Sequence, residues 1–273
     1  MTFVIKNYHI ILNADSKYPE LQNSQMGDFL GGGVGATPVV PTTNSGNSNA
    51  ISENQKSSFI NVNELYLTYA HEFGVLTVGR APIHFGLGMS YNNGNGDFDH
   101  WFDNRDMVAY KFVTGNLFFM PVIAKLSEST LATADDVDDY MLQVQYENPD
   151  SELTLGVLYR RRHAGSTGND APAGVFGAAP LSSFKGEYWN FYFSRWIGEN
   201  IKIGLEAAMQ TGKAGTAVGG SAVELDGFGV AMELDYMPKG SSFNFGLNAG
   251  TASGDDPNTT NSYEGFMFDR NYD

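Results

Sequence analysis

The residues of this sequence that could carry out a reaction form one small group, Asp97, Asp99 and His100. A carboxylate next to a histidine can activate a water molecule, so this group could serve a hydrolase. However, the sequence has neither a Gly-x-Ser-x-Gly turn around a serine nucleophile nor a His-Glu-x-x-His zinc motif. We therefore predict that the protein is not an enzyme, and a hydrolase remains the weaker alternative.

A metal ion is the second kind of chemistry to consider. Residues 92–106 are rich in Asn, Asp and Gly, and such oxygen ligands suit Ca²⁺, but the glutamate at the twelfth position of an EF-hand loop is missing. Asn, Gly and Asp are also ordinary turn formers, so we expect a folded loop whose Trp101 and Phe102 pack against the rest of the protein. The five histidines are scattered. We expect no cofactor, with Ca²⁺ as a weak alternative at the acidic loops, whose further members are Asp135, Asp136, Asp138, Asp139, Asp255 and Asp256.

A larger set of ionisable side chains recurs in one phase of alternating segments, and it contains both signs of charge. In a water-filled passage such a set would produce a transverse field that orients polar solutes. The alternative is that these are solvated wall residues without selectivity, and the sequence leaves both interpretations open. The predicted pore-lining residues are Glu64, Arg80, His84, Lys111, Lys125, Arg160, Lys202, Glu206, Glu233 and Asp235.

The composition restricts the partners of these residues. The chain has 273 residues and a formal net charge of -15, which repels a phosphate backbone and argues against binding to nucleic acid. It has no cysteine, which excludes thiol chemistry and disulfides. No apolar run is long enough for a membrane helix.

The elements that must position the ionisable residues are β-strands, because apolar and polar residues alternate with a period of two along most of the chain. About eleven such segments occur, most of them near the ~9–11 residues that cross a bilayer when tilted. The clearest are 59–71, 153–162, 188–194, 201–208 and 228–235, and weaker ones are 2–12, 75–85, 107–113, 117–127, 140–146 and 243–251.

The connections between these segments alternate strictly between short turns and long loops, which places all long loops on one side. A transmembrane barrel sorts its loops in this way, with short turns at the periplasmic edge, whereas a β-sandwich has no reason to do so. We predict that Gly115, Pro149, Gly198 and Gly240 lie at the periplasmic edge and that Asn95, Gly168, Gly215 and Asp256 lie at the outer edge.

The apolar phase is expected to face lipid, and aromatic residues near the strand ends are expected to form interfacial girdles. The predicted lipid-facing residues are Trp189, Phe191, Phe193, Ile203, Leu205, Val230 and Met232. The predicted girdle residues are Tyr69, Phe73, Tyr159, Trp189, Trp196 and Tyr236.

Two segments resemble a known family. The passage Val78-Gly79-Arg80-Ala81-Pro82-Ile83-His84-Phe85-Gly86-Leu87-Gly88 resembles a strand-to-loop passage of porins. The stretch 227–269, with Ala252-Ser253-Gly254-Asp255-Asp256-Pro257, is similar to alginate-export and porin-like outer-membrane barrels of Gram-negative bacteria. The resemblance implies an all-β, antiparallel, up-and-down transmembrane β-barrel. Because members have an even strand number, it also implies that residues 1–273 are an incomplete single barrel domain, with a long flexible extracellular loop at about 13–58.

The expected function is that of a porin-like channel in the cell outer membrane, passing polar solutes such as saccharides. The alternatives are a non-conducting structural or surface-binding barrel and, less favoured, a hydrolase at the barrel rim. The expected partners are outer-membrane lipid, small polar solutes or saccharides and, in a homo-oligomer, further copies of the chain. We also expect an unpaired sheet edge near 3–12 or 243–251, with residues 266–273 beginning the next strand.

Overall fold

The computed structural model describes residues 3–12, 60–94, 104–127, 137–164, 184–216, 222–256, 258–259, 261–269 and 271–272. For 3–12, 60–65, 126–127, 164 and 216 it describes the backbone only. The long loop predicted at 13–58 lies outside these ranges.

The described chain is built from β-strands, as the period-two pattern predicts. Each strand from β1 to β10 pairs antiparallel with the next one in sequence, so the predicted up-and-down antiparallel fold of about eleven strands is confirmed. No helix in the described part of the chain is long and apolar enough to cross a membrane. The strands are β1 (Phe3–Leu12), β2 (Ile60–His71), β3 (Gly74–Pro82), β4 (Asn104–Thr114), β5 (Leu117–Ser127), β6 (Val137–Asn148), β7 (Leu153–Ala164), β8 (Lys185–Ile197), β9 (Ile201–Thr216), β10 (Ala222–Tyr236), β11 (Phe245–Ala252) and β12 (Ser262–Tyr263).

The two ends of the strand order are β1 and β11, and among the described residues no pairing joins them. The expected unpaired edge is therefore present, while the incompleteness of the domain remains a prediction. The two-residue β12 pairs in parallel with β10 at Glu224 and Leu225, beyond the stretch of β10 that β11 covers.

Short turns join alternate strand pairs, where the sequence places Gly, Asn and Pro. Gly115 and Gly198 have φ angles of 56° and 63°, in the left-handed region that glycine adopts without steric cost. These reversals set the register of each hairpin, and the register in turn sends alternate side chains to opposite faces.

The outer face is defined here as the uncovered face of the sheet, and it carries large apolar side chains. Trp189, Phe191, Leu205 and Val230 are all exposed on it, and the remaining predicted lipid-facing residues share its phase in the cross-strand register. A monomeric soluble protein rarely exposes such a contiguous apolar surface. The predicted orientation of the two phases is therefore confirmed.

Aromatic side chains border the apolar band of the outer face at both ends. Towards the long loops, the rings of Tyr159 and Trp189 lie 4.6 Å apart, and at the opposite end the rings of Tyr236 and Phe245 lie 6.3 Å apart. Trp196 was expected in the same girdle, but it shares the phase of buried Ser194 and belongs to the other face.

The inner face, defined as the opposite face, is covered by two segments that are not strands. The inner loop, residues 83–94 between β3 and β4, buries Phe85 and Met89 against the sheet. The C-terminal segment, residues 264–272, packs Phe266 and Phe268 near Ala231. The expectation that 266–273 begins another strand is therefore wrong, because these aromatic rings are used to cover the inner face instead.

Candidate functional site

Most of the predicted pore-lining residues share the inner face. Arg160 and Glu206 are buried there, and Lys111 points across the ring of Phe118, with its Nζ 3.7 Å from the ring centroid. The side chain of Glu64 lies outside the described residues. His84 lies in the inner loop that covers this face. The members of the set on the inner face of the sheet are Lys111, Arg160, Lys202, Glu206, Glu233 and Asp235.

Arg80 and Lys125 were also expected on the inner face, and the register places both on the outer face. Arg80 is paired across the strands with Asp106, and Asp106 with Lys125, in the same phase as the exposed Val108. The physical reason is that the small residue Ala81 takes the buried position next to Arg80. Arg80 makes a two-pronged ion pair with Asp106, with nitrogen–oxygen distances of 2.8 and 2.9 Å.

Glu206 on β9 binds the backbone of the inner loop and holds the loop against the sheet. Its Oε2 accepts hydrogen bonds from the backbone N–H of Leu87 at 2.8 Å and of Met89 at 3.2 Å. Gly86 lets the loop come this close, because a Cβ there would lie 2.6 Å from the same oxygen. The side chain of Glu206 thus works as an anchor for backbone and is not a free charge in a passage.

The C-terminal segment is tied to the same loop. The backbone N–H of Asp269 donates to the carbonyl of Met89 at 2.7 Å, and a carboxylate oxygen of Asp269 accepts from the N–H of Asn92 at 3.3 Å. Gln210 on β9 donates from its amide to the carbonyl of Gly265 at 2.7 Å. The two covering segments and the wall therefore form one hydrogen-bonded unit.

A buried cluster of three arginines surrounds one carboxylate near the long-loop ends of the strands. Asp139 accepts from Arg162 twice at 2.8 Å and from Arg105 at 3.3 Å, and Arg160 lies 3.9 Å away. The guanidinium carbon of Arg160 lies 3.5 Å from the centroid of the Tyr188 ring. Asp139 was expected in an acidic loop, and this is wrong, because it lies within β6 and its side chain has no exposed surface.

Arg160 was predicted as a pore-lining residue, whereas Arg162 and Arg105 were not predicted and Asp139 was not expected to be their partner. The contact between Asp139 and Arg162 has a sequence signal. The short turn between β6 and β7 pairs Asn148 with Leu153, and this register places Asp139 opposite Arg162. The approach of Arg105 across β5 depends on how the sheet curves and has no local sequence signal.

A cavity of about 420 Å³ lies between the inner loop and the short-turn edge. Gln143 donates to Gln145 at 3.1 Å, and Gln145 donates to Glu147 at 2.6 Å, so a row of amides follows β6 down its wall. Uncharged amides can form hydrogen bonds with a polar solute, and the aromatic rings beside them can stack on it. The lining residues are His84, Gly86, Lys111, Phe118, Met120, Gln143, Gln145, Glu147, Thr154 and Tyr192.

The reactive and metal-binding candidates are only partly visible. Asp97, Asp99 and His100 lie outside the described residues, as do Asp135 and Asp136. Among the residues that are described, no three His, Cys, Asp or Glu side chains come together as a metal site. Asp256 is fully exposed, and hydrogen bonds from the backbone and side chain of Asn258 lower the pKa of its carboxyl group.

Two tyrosines of the C-terminal region, Tyr263 and Tyr272, have raised pKa values. Burial raises the pKa of Tyr272 to about 12, with a further contribution from the negative charges of Glu233 and Glu206. Burial also raises the pKa of Tyr263 to about 12, aided by Asp255. Both phenols therefore stay neutral to a more alkaline pH than a tyrosine that is exposed to water.

No family model and no curated protein matches the sequence. Among solved structures, the chain is similar to the outer membrane channel DcaP of Acinetobacter baumannii, with 12% identity and a TM-score of 0.48 over 72% of this chain, and it spans 58% of the DcaP chain. It is also similar to OmpT, an outer membrane protein of Vibrio cholerae folded in vitro and solved in a trimer form, with 16% identity, 79% coverage of each chain and a TM-score of 0.32. OmpT expressed in the outer membrane gives 15% identity, 78% coverage of each chain and a TM-score of 0.32. DcaP and OmpT are both outer-membrane proteins.

Proposed function

We propose that this protein is a β-barrel of the outer membrane of a Gram-negative bacterium and that it works as a channel for small polar solutes, including saccharides. The observation that carries the proposal is the contrast between the two faces of one sheet. The outer face exposes Trp189, Phe191 and Val230, whereas the inner face holds Gln143 and Gln145 around a cavity. A water-filled path through a low-dielectric barrier needs this arrangement and no catalytic group.

Uncharged saccharides suit the cavity by their chemistry. Their hydroxyl groups both donate and accept hydrogen bonds, as amides do, and their apolar faces stack on aromatic rings such as that of Tyr192. The two charged groups on the cavity wall, Lys111 and Glu147, have opposite signs, so we expect weak selectivity between small cations and anions.

Planar-bilayer recording of the refolded protein tests the channel. We expect discrete conductance steps, and in a salt gradient Lys111→Glu should move the reversal potential towards cation selectivity. Lys239→Glu is the matched control, because it makes the same change of charge at an exposed short turn, where Lys239 pairs with Glu199. Steps that Lys111→Glu leaves unchanged would place the ion path elsewhere, and a silent bilayer would contradict the channel.

A second candidate, a non-conducting structural or surface-binding barrel, is favoured by the tight cover of the inner face. Met89 has no exposed surface and Phe85 has 1%. A permanently blocked protein would give a silent bilayer yet bind its ligand. The rim hydrolase is the third and weakest candidate, and it requires a hydrolytic activity that Asp99→Ala or His100→Ala abolishes.

A further inference from the structure

A continuous row of ionisable residues crosses the outer face where the strands approach the long loops. The row follows the cross-strand pairs through eight successive strands, from β3 to β10. Each member points to the uncovered face, since the neighbouring residues on its strand are those that bury against the inner side. In strand order the row is Arg80, Asp106, Lys125, Asp138, His163, Lys185, Lys213 and Glu224.

The charges in the first half of this row neutralise one another within the protein. Positive and negative residues alternate from Arg80 to Asp138, and Arg80 and Asp106 form the two-pronged pair described above. Opposite charges in directly opposed positions stabilise a sheet. This half needs no external partner.

The alternation breaks between β8 and β9. Lys185 and Lys213 are direct cross-strand partners, and the other neighbour of Lys185 in the row is His163. Like charges in directly opposed positions destabilise a sheet. Carboxylates do stand nearby, since Glu187 follows on β8 and Glu224 opposes Lys213, but in the described part of the chain neither lysine forms an ion pair.

The position of the two lysines indicates what they meet. Both are exposed, and the next rows towards the centre of the outer face lead to Trp189 and Met209, which begin the apolar band. Aromatic residues at this position mark the level of the lipid headgroups. Two adjacent ammonium groups just above that level face the headgroup layer. The chain has a net charge of -15, so this pair of cations is a local feature and does not reflect a general excess of positive charge.

We propose that Lys185 and Lys213, with His163 beside them, bind the phosphate group of a lipid headgroup in the leaflet at the long-loop edge. A phosphate oxyanion between the two ammonium groups would accept charge-assisted hydrogen bonds from both and remove their repulsion. The inference rests on the proposed outer-membrane location and is independent of conduction. The ligand class is a phosphorylated lipid, such as a glycolipid that carries phosphate on its sugar.

The test uses the full chain refolded in uncharged detergent micelles and titrated with bisphosphorylated lipid A, with bound lipid counted by native mass spectrometry. Each cation near an anionic surface contributes about a fivefold gain in affinity, so Lys185→Gln with Lys213→Gln should weaken binding about 30-fold. Lys125→Gln with Lys239→Gln is the matched control. It removes the same charge, including one lysine of the same row, and should stay within about twofold of the unaltered protein.

Two further measurements keep the test decisive. Lys185→Arg with Lys213→Arg should retain binding, because the charges remain, and it shows that the positions tolerate substitution. The unaltered protein should bind lipid A more tightly than the same lipid after enzymatic removal of its phosphates. Equal binding of the two lipids, or equal loss in the glutamine pair and its control, would overturn the inference. A protein that binds phosphorylated lipid but never conducts would overturn the channel alone.

Discussion

The carboxylate of Glu206 accepts a 2.8 Å hydrogen bond from the backbone N–H of Leu87, 119 positions earlier in the sequence. One side chain of the wall thereby fixes the path of the loop that covers the inner face. The loop position is a tertiary property, because the hydrogen bond joins β9 to the connection after β3.

Removal of this anchor should loosen the inner loop. Glu206→Ala leaves the N–H groups of Leu87 and Met89 without their carboxylate, and we expect the free energy of unfolding in lipid vesicles to fall by about 2–4 kcal/mol. Urea titration measures this change. Glu199→Ala is the control, because Glu199 forms an exposed pair with Lys239 and its loss should cost less than about 1 kcal/mol. Equal costs for the two variants would mean that Glu206 does not hold the loop.

The buried arginine cluster should depend on Asp139, the carboxylate that Arg105 and Arg162 both contact. Asp139→Asn removes a buried negative charge that pairs with both Arg105 and Arg162, which should cost about 3–5 kcal/mol of stability. The neighbouring Asp138→Asn is the matched control, since Asp138 points to the outer face and should cost less than about 1 kcal/mol. Urea unfolding of the two variants compares them, and a difference below about 1 kcal/mol would show that other groups neutralise the cluster.

The strands and their two faces were predictable, because a period of two is a local property and the short turns fix each register. The assignment of Arg80 and Lys125 failed because ionic side chains were taken as a sign of the inner face, whereas the outer face also carries ions where it leaves the apolar band. The inner loop and the approach of Arg105 to Asp139 were not predictable, since they depend on contacts between distant strands.

The outer face should resist a charge in its apolar band. Val230→Arg places a cation at mid-strand on the exposed face and should cost about 2–4 kcal/mol of stability in lipid vesicles. The adjacent Ala231 is not a suitable control, because it is fully buried beside Met89 and a cation there would also be costly. The appropriate control is Gln145→Arg, which faces the cavity and should cost less than about 1 kcal/mol. A similar cost at Val230 and Gln145 would indicate a sheet with water on both sides.

The orientation of the sheet can be tested with single cysteines, because the sequence has none. Asp256→Cys should react with an impermeant maleimide in intact cells, whereas Gly198→Cys and Gly240→Cys in the short turns should react only after lysis. Gly215, which was predicted to lie at the outer edge, is a poor probe because it lies within β9 and is buried. The reverse labelling pattern would invert the topology and move the ionic row to the other leaflet.

The C-terminal segment should detach at alkaline pH, and Tyr272 determines the direction of this effect. A tyrosine in the unfolded chain has a pKa of about 10, whereas burial raises the pKa of Tyr272 to about 12 in the folded protein. Between these values the unfolded state loses the proton first. The stabilising contribution is therefore complete below pH 10 and is lost as the pH rises towards 12.

Urea midpoints of the unaltered protein and of Tyr272→Phe, measured from pH 8 to pH 11.5, check this prediction. Phenylalanine cannot ionise, so the variant should lose less stability above pH 10 while staying close to the unaltered protein at pH 8. Burial and the charge of Asp255 also raise the pKa of Tyr263. Adding Tyr263→Phe to Tyr272→Phe should therefore reduce the loss of stability above pH 10 further. A double variant with the full alkaline loss of stability would show that these two phenols are not held neutral by the packed C-terminal segment.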